Sequence, residues 1–449
     1  DRPEYISMRE LSDRLNEARQ KMQPYFDKYG NAFKSITSNA SPMKFLPARI
    51  KPPNIQCQNP TNVWIKIYEV VAYNNLIPSK IDAGEVKDEV KSWKYYDYNC
   101  LPGHSLLAVN HYVYTKGRDD IKDVFEWTGN VQDKSDIDEN DYYDIYHNYK
   151  DTNFKVIDFD HGDPGDIPDT DKQSYDLFIG TSENHKIHDY LNQELNDSWY
   201  LLHEVMATII YLKHGGSAVF RLTSFFNKFT ISVISALRSM FRTVEIFRPM
   251  SAKADSMEVY LICKSFYIND TNAGVIRAVD DFLSDNHDTE DFIDAVVVPI
   301  GQLEGRFWSD LLEAATAIST KVIKEIQHNI SLFIEVTRKC GDDFPKQAQY
   351  TKDLSKDKIE ETIDKWYGAY TIENLPRQFM LNIRVEQPRE YSDHSGGGRG
   401  RGGGRGRGAG RGGNGGRGSG GGSRESSYNR GHGRVEEFDA DGWKKVGRK

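Results

Sequence analysis

Cysteine is scarce in this chain, long apolar runs are missing, and most of its length has no surplus of cations. Each absence closes off a class of protein. Four cysteines, Cys57, Cys100, Cys263 and Cys340, are scattered through 449 residues. None forms a CxxC pair and no histidine cluster accompanies them. A zinc site or disulfide framework is therefore not expected, and a reducing, cytoplasmic compartment is. No window of eighteen uncharged apolar residues occurs, so no membrane-spanning helix is expected. The nearest candidate, WYLLHEVMATIIYLKHGG, carries His203 and Glu204 and reads as an amphipathic helix. No secretory signal pattern opens the chain. It starts at Asp1 rather than Met, as a processed product would.

What is present fits a globular protein of two or three domains with one unusual region. Apolar residues make up 38% and aromatics 12%. The net charge of −9 hides an asymmetry. Residues 395–449 hold 13 Lys and Arg against 5 Asp and Glu, a net of +8, which leaves −17 for the rest. An acidic body with a basic tail concentrates nucleic-acid affinity in the tail.

Periodicity divides the chain into four parts. Residues 1–59 form an N-terminal helical extension around ISMRELSDRLNEARQKMQPYF. Residues 60–267 alternate helical and strand-like segments. VWIKIYEVVAYNNLI reads as a helix, and SWKYYDYNCLPGHSLLAVNHYV as strand, turn and helix. FKVIDFDHGD and YDLFIGTSEN are strands, and SWYLLHEVMATIIYLKHGG is a helix stopped by its glycines. SAVFRL is a strand, TISVISALRSMF a helix, and VEIFRP and MEVYLICKSF are strands. The alternation predicts an α/β, doubly wound, mostly parallel sheet. Only MSAKADS separates the last two strands, too short for a crossover helix, so the final strand is antiparallel. Residues 268–394 are mainly helical. Residues 395–449 begin with a glycine-dense segment that has no apolar surface to bury and is expected to be disordered.

The stretch HGGSAVFRL, His214 to Leu222, ends an apolar strand on a permanent cation, Arg221. Parallel α/β sheets bind ligands beyond the carboxyl ends of their strands, so that end is a functional rim. The run GGSAVFRL…SALRSMFRTVEIFRPMSAKADSMEVYLIC resembles the C-terminal half of the FtsJ-type RNA ribose 2′-O-methyltransferases. That family shows a glycine pair, a strand ending in lysine, a helix, a strand, an R/K-P-x-S-like loop and a strand bearing glutamate. Arg221 stands at the lysine position and Glu258 at the glutamate position. Upstream, PTNVWIKIYEVVAYNNLIP is similar to the family's first catalytic helix and puts Lys66 at its lysine. DYNCLPGHSLLAV is similar to the S-adenosylmethionine loop, with Asp97, Pro102 and Gly103 matching and Asn99 and His104 replacing glycines. HGDPGDI resembles the adenine-contacting turn and places Asp163 there. Thr181 falls where the family has a catalytic aspartate.

The resemblance implies an S-adenosylmethionine-dependent methyltransferase fold over residues 60–267, with S-adenosylmethionine as cofactor and a cap or other RNA as substrate. It also implies a degenerate tetrad. Arginine does not lose its proton near neutral pH, so Arg221 is no general base. Thr181 supplies no carboxylate, and Asn99 crowds the cofactor turn. Two readings stay open. In one, the site still transfers methyl by positioning, or through Lys66 or Glu183. In the other, catalysis is lost and the domain grips RNA, Arg221 and Lys66 holding a phosphate.

The tail resembles RGG boxes of RNA-binding proteins. Nine arginines lie between Arg399 and Arg434, among them Arg401, Arg405, Arg407, Arg411 and Arg417, against one acid, Glu425. Guanidinium groups pair with phosphates and stack on bases, while glycine keeps the backbone adaptable. Protein partners through residues 268–394 or the tail are a further expectation. A processed start and divergent motifs suggest a viral polyprotein product, acting in the host cytoplasm.

Overall fold

The computed structural model describes residues 2–50, 56–80, 89–131, 137, 143–156, 172–181, 192–285, 295–301 and 303–383, all within one compact unit. Seven segments rich in aromatic and β-branched residues pair into one sheet. They are β1 (Trp93–Tyr98), β2 (Phe125–Val131), β3 (Phe154–Val156), β4 (Tyr175–Gly180), β5 (Leu212–Leu222), β6 (Phe241–Phe247) and β7 (Val259–Phe266), in the order β3-β2-β1-β4-β5-β7-β6. Strands β1 to β5 pair in parallel, and β7 lies antiparallel to both β5 and β6. The short MSAKADS link accounts for that reversal. The sequence pattern marks six of these strands and not β2, whose FEWTGNV is diluted by glycine, asparagine and glutamate. Gly129 in β2 is there for room: a Cβ would sit 2.8 Å from Cys100 Cβ and 2.9 Å from Phe154.

Both faces of the sheet are covered, as a parallel sheet requires. Along each strand successive side chains alternate between faces. Tyr96, Phe178, Ala218 and Phe220 join one core with α1 (Pro3–Asn39), α4 (Ser198–Tyr211), α5 (Lys228–Met240) and α7 (Gly305–Cys340). Tyr95, Leu177, Val219 and Tyr260 join the other with α2 (Asn62–Tyr73), α3 (His104–Lys116) and α8 (Phe344–Ala369). Helix α6 (Ala273–Asp285) packs beside α4. The four cysteines are free and buried. Among the described residues, no helix is long and apolar enough to cross a membrane.

Two helices differ from the sequence reading. Helix α1 runs 37 residues, through Pro24, well past the periodic segment. It lies alongside α7: Tyr5 meets Trp308 at one end, and Phe33 meets Phe333 toward the other, so the two helices run parallel. Helix α4 is not stopped by the glycines. It ends at Tyr211, and β5 begins at Leu212 and carries Gly215 and Gly216 within it. Gly215 takes φ +84, and the pairing with β4 jumps there, from Tyr175↔Leu212 to Leu177↔Ser217. The glycines make an irregular strand entry, where left-handed backbone costs glycine nothing.

Candidate active site at the rim of the sheet

The carboxyl ends of β1, β4 and β5 share one edge. Gly180 pairs with Tyr98 on one side and Phe220 on the other. Thr181, one residue past β4, therefore falls between Asn99 and Arg221. Lys66 comes from α2, whose start is set by Thr61 accepting from Trp64 N at 3.2 Å, an N-cap bond. Lys66 is 2% exposed and donates to Glu258 Oε1 at 2.8 Å and Oε2 at 3.0 Å. Arg221 Nε donates to the same Oε1 at 3.0 Å, and so does Tyr260 Oη, also at 3.0 Å. Three of the four expected residues, Lys66, Arg221 and Glu258, thus converge as two cations on one carboxylate. Burial would raise the Glu258 carboxyl, but Lys66 and Arg221 outweigh it and hold it at about 2. At neutral pH the cluster is Glu⁻ between Lys⁺ and Arg⁺, a net positive site.

Glu69, one turn on from Lys66, was not expected. Its carboxylate accepts from Met250 N, from Ser251 N at 3.1 Å, from Ser251 Oγ at 2.6 Å and from Trp366 Nε1 of α8 at 3.1 Å. Arg248 closes the same loop, donating to Ser256 O at 2.6 Å and Lys253 O at 3.0 Å. Ser256 Oγ in turn accepts from Glu258 N at 3.1 Å. The RPMSAKADS loop is therefore tied to α2 at one end and to Glu258 at the other. Burial pushes Glu69 up to about 7 against the pull of these donors. A lone glutamate inside the apolar helix IKIYEVVAY was the sequence cue for it.

The turn between β1 and α3 brings Asp97, Asn99, Pro102 and Gly103 together. Asn99 adopts φ +51 and Gly103 φ +91. Asparagine tolerates the left-handed region, and the Asn99 N–H donates to Asn130 Oδ1 at 2.8 Å. At Gly103 glycine is required, since a Cβ would lie 2.3 Å from Ile145 Cδ1. Gly103 also precedes α3, whose first-turn Leu106 N–H faces the Asp97 carboxylate. Asp97 is 1% exposed, and its Oδ2 meets no hydrogen-bonding group among the described residues. Burial pushes its carboxyl up to about 7. A buried carboxylate with Oδ2 open, at a left-handed turn leading into α3, fits a small polar cofactor. Asp163, Glu183 and the tail arginines, Arg399, Arg401, Arg405, Arg407, Arg411 and Arg417, lie outside the described residues. Among the described residues no three His, Cys, Asp or Glu side chains gather as a metal site would need.

Strand order 3-2-1-4-5-7-6, with β7 reversed and the polar turn after β1, defines the S-adenosylmethionine-dependent methyltransferase fold. Within that class, the FtsJ-like methyltransferase family model matches residues 114–266, and that segment is FtsJ-like. Over 131 residues the chain is 25% identical to cap-specific mRNA (nucleoside-2′-O-)-methyltransferase 2 of Danio rerio. That stretch is 29% of this chain and 17% of that protein, so the chain spans less than a fifth of the relative's length. Among solved structures, phosphoethanolamine N-methyltransferase 1 of Haemonchus contortus overlaps with TM-score 0.28 at 11% identity, covering 60% of this chain and 53% of that one. A methyltransferase of Clostridium acetobutylicum overlaps with TM-score 0.21 at 10% identity, covering 50% and 81%. Overlaps this low carry no argument, and the fold rests on the strand order.

Proposed function

We propose that the chain transfers a methyl group from S-adenosylmethionine to a ribose 2′-hydroxyl of RNA, cap-proximal nucleotides included, with the RGG tail holding the RNA. The observation that carries this reading is the meeting of Lys66, Arg221 and Glu258 at the rim of a methyltransferase sheet. The FtsJ-like segment and the cap-methyltransferase relative support the substrate class.

In this reading Asp97, Asn99 and Gly103, with the start of α3, hold S-adenosylmethionine. When bound, it supplies an electrophilic methyl on a sulfonium. The chain's own residues do the rest. Arg221, at the end of β5, favours negative charge developing on the sugar oxygen, and the buried Lys66 adds its charge from behind Glu258. Glu258 fixes both cations in place. The arginine tail raises the local concentration of RNA around the rim.

A second reading, an inactive methyltransferase fold that only binds RNA, has one observation in its favour: Lys66 is buried and ion-paired rather than facing solvent. Calorimetry with S-adenosylmethionine, followed by transfer of labelled methyl to capped and uncapped RNA, separates the two. The enzyme reading expects label on ribose, and a loss of about 100-fold or more in Lys66→Ala. Cofactor binding without transfer, with transfer appearing in Arg221→Lys, would establish the second.

A further inference from the structure

A cavity of about 270 Å³ lies between α3, β2 and the chain around Phe379. It is separate from the rim. Its residues from α3, Asn110 and Tyr114, stand about two and three turns along that helix from Gly103. Phe125 and Trp127, at the start of β2, line another side. Residues 378–381 close it as a strap. Asn110 Nδ2 donates to Phe379 O at 2.9 Å. Gln58 holds Leu381 through both ends of its amide, donating to the carbonyl at 2.8 Å and accepting from the N–H at 2.9 Å. Next along the strap, Asn382 N donates to Tyr149 Oη at 2.7 Å. These bonds build the cavity into the fold.

Four aromatic rings line it, those of Tyr114, Phe125, Trp127 and Phe379. Tyr114 stacks on Phe379 with centroids 4.2 Å apart, and meets Phe125 at 79° and 5.9 Å. Asn110 is 2% exposed. Its Nδ2 is committed to Phe379 O, which leaves Oδ1 as an acceptor without a partner among the described residues. A buried acceptor of this kind calls for a donor. Glu126 is the one lining residue with a charge. It sits between Phe125 and Trp127, so its side chain points to the other face of the sheet, where Lys94 lies 3.3 Å away. The matching ligand is therefore flat and neutral, apolar on its faces and polar at its edge. Pockets for larger ligands begin at about 300 Å³, so this one has room for a single ring system.

We propose that this cavity seats an unpaired RNA nucleobase that carries an exocyclic amine. The base stacks among the rings, as bases do on single-strand-binding surfaces. Its amine donates to Asn110 Oδ1. The exposed Gln378 has an amide that both donates and accepts, which suits the remaining polar edge of a base. Sugar and phosphates stay outside, since the cavity offers them no cation. The cations that RNA needs occur further along the sequence: nine arginines follow the strap, between Arg399 and Arg434. The cavity would hold a base and the rim a ribose hydroxyl, so this inference does not depend on methyl transfer.

The test uses the full wild-type chain. Photoactivated 8-azidoadenosine is expected to label the peptides that carry Trp127 and Phe379, at low and high salt alike because the probe is neutral. Adenosine is expected to protect both peptides. Inosine has no exocyclic amine and should need about tenfold more, since it leaves the buried acceptor unpaired. Trp127→Leu is expected to cut the labelling about tenfold through lost stacking. The same photoprobe placed within a single-stranded oligoribonucleotide should label the same two peptides, and a complementary strand should abolish that label. Label absent from both peptides of the wild-type chain, or equal protection by adenosine and inosine, overturns the base site. Label from the nucleoside but none from the single strand overturns RNA as the source of the base. None of these outcomes bears on methyl transfer at the rim.

Discussion

At the scale of single residues, the site is organised by a carboxylate shared between two cations. Lys66 and Glu258 are 192 positions apart and both nearly fully buried. Losing one member of such a group leaves a buried charge uncompensated. Glu258→Gln is expected to cost about 3–5 kcal/mol at pH 7, measured by urea unfolding. The direction with pH follows from the depressed carboxyl. Its ordinary value is 4.5 and the folded protein holds it at about 2. Its contribution is complete above about pH 4.5 and is lost as pH falls through about 2. The gap between wild type and variant should therefore narrow in that acid window. Lys66, Arg221 and Glu258 were legible in the sequence because strand ends and a family spacing marked them. Glu204 was visible only as a charge inside an apolar run, since the strand end it rests on, Gly180, lies 24 positions earlier.

At the scale of elements, α2, α8 and the RPMSAKADS loop are held by one side chain, Glu69. Its carboxyl is raised from 4.5 to about 7, by burial. A raised carboxyl favours folding fully below about pH 4.5, and that share is lost as pH rises through about 7. Glu69→Gln stays neutral and can still accept from Ser251 and Trp366. It should gain stability relative to wild type between pH 5 and pH 8, read from urea midpoints at the two pH values. Asp97, raised by burial in the same direction, keeps its own part of the slope in the variant. The elements themselves were largely readable. Six strands and the helices between them follow from period-2 and period-3.6 patterns. The misplaced end of α4 has a physical cause: Gly215 and Gly216 look like a helix stop, yet they shape an irregular strand entry.

At the scale of the whole molecule, the two helical segments that flank the sheet in sequence are brought together in space. Helix α1 and helix α7 lie side by side, and Tyr5, Met8, Leu11 and Leu15 of α1 enter the same core as Phe220 of the sheet. The tail belongs to this scale too. If residues 395–434 carry the RNA affinity, deleting them lowers RNA binding at low salt. It also flattens the plot of log affinity against log salt. A single strand releases counterions worth about 0.7 of slope per phosphate contact, so nine arginines account for a change of up to about 6. Equal slopes for full-length and truncated chains would remove the tail from RNA binding.

The sequence by itself determined the alternation of strands and helices, the reversed last strand, the polar turn after β1 and the charge asymmetry. These depend on local periodicity, link length and composition, all of which lie along the chain. Tertiary structure alone decided that Lys66 and Arg221 share Glu258, that Glu69 reaches Trp366, and that Glu204 rests on Gly180. Each of these joins residues from separate elements, and their proximity follows from strand order and face rather than from spacing. A buried charge is tolerable only where such partners arrive, and packing of the two helical layers against the sheet is what brings them.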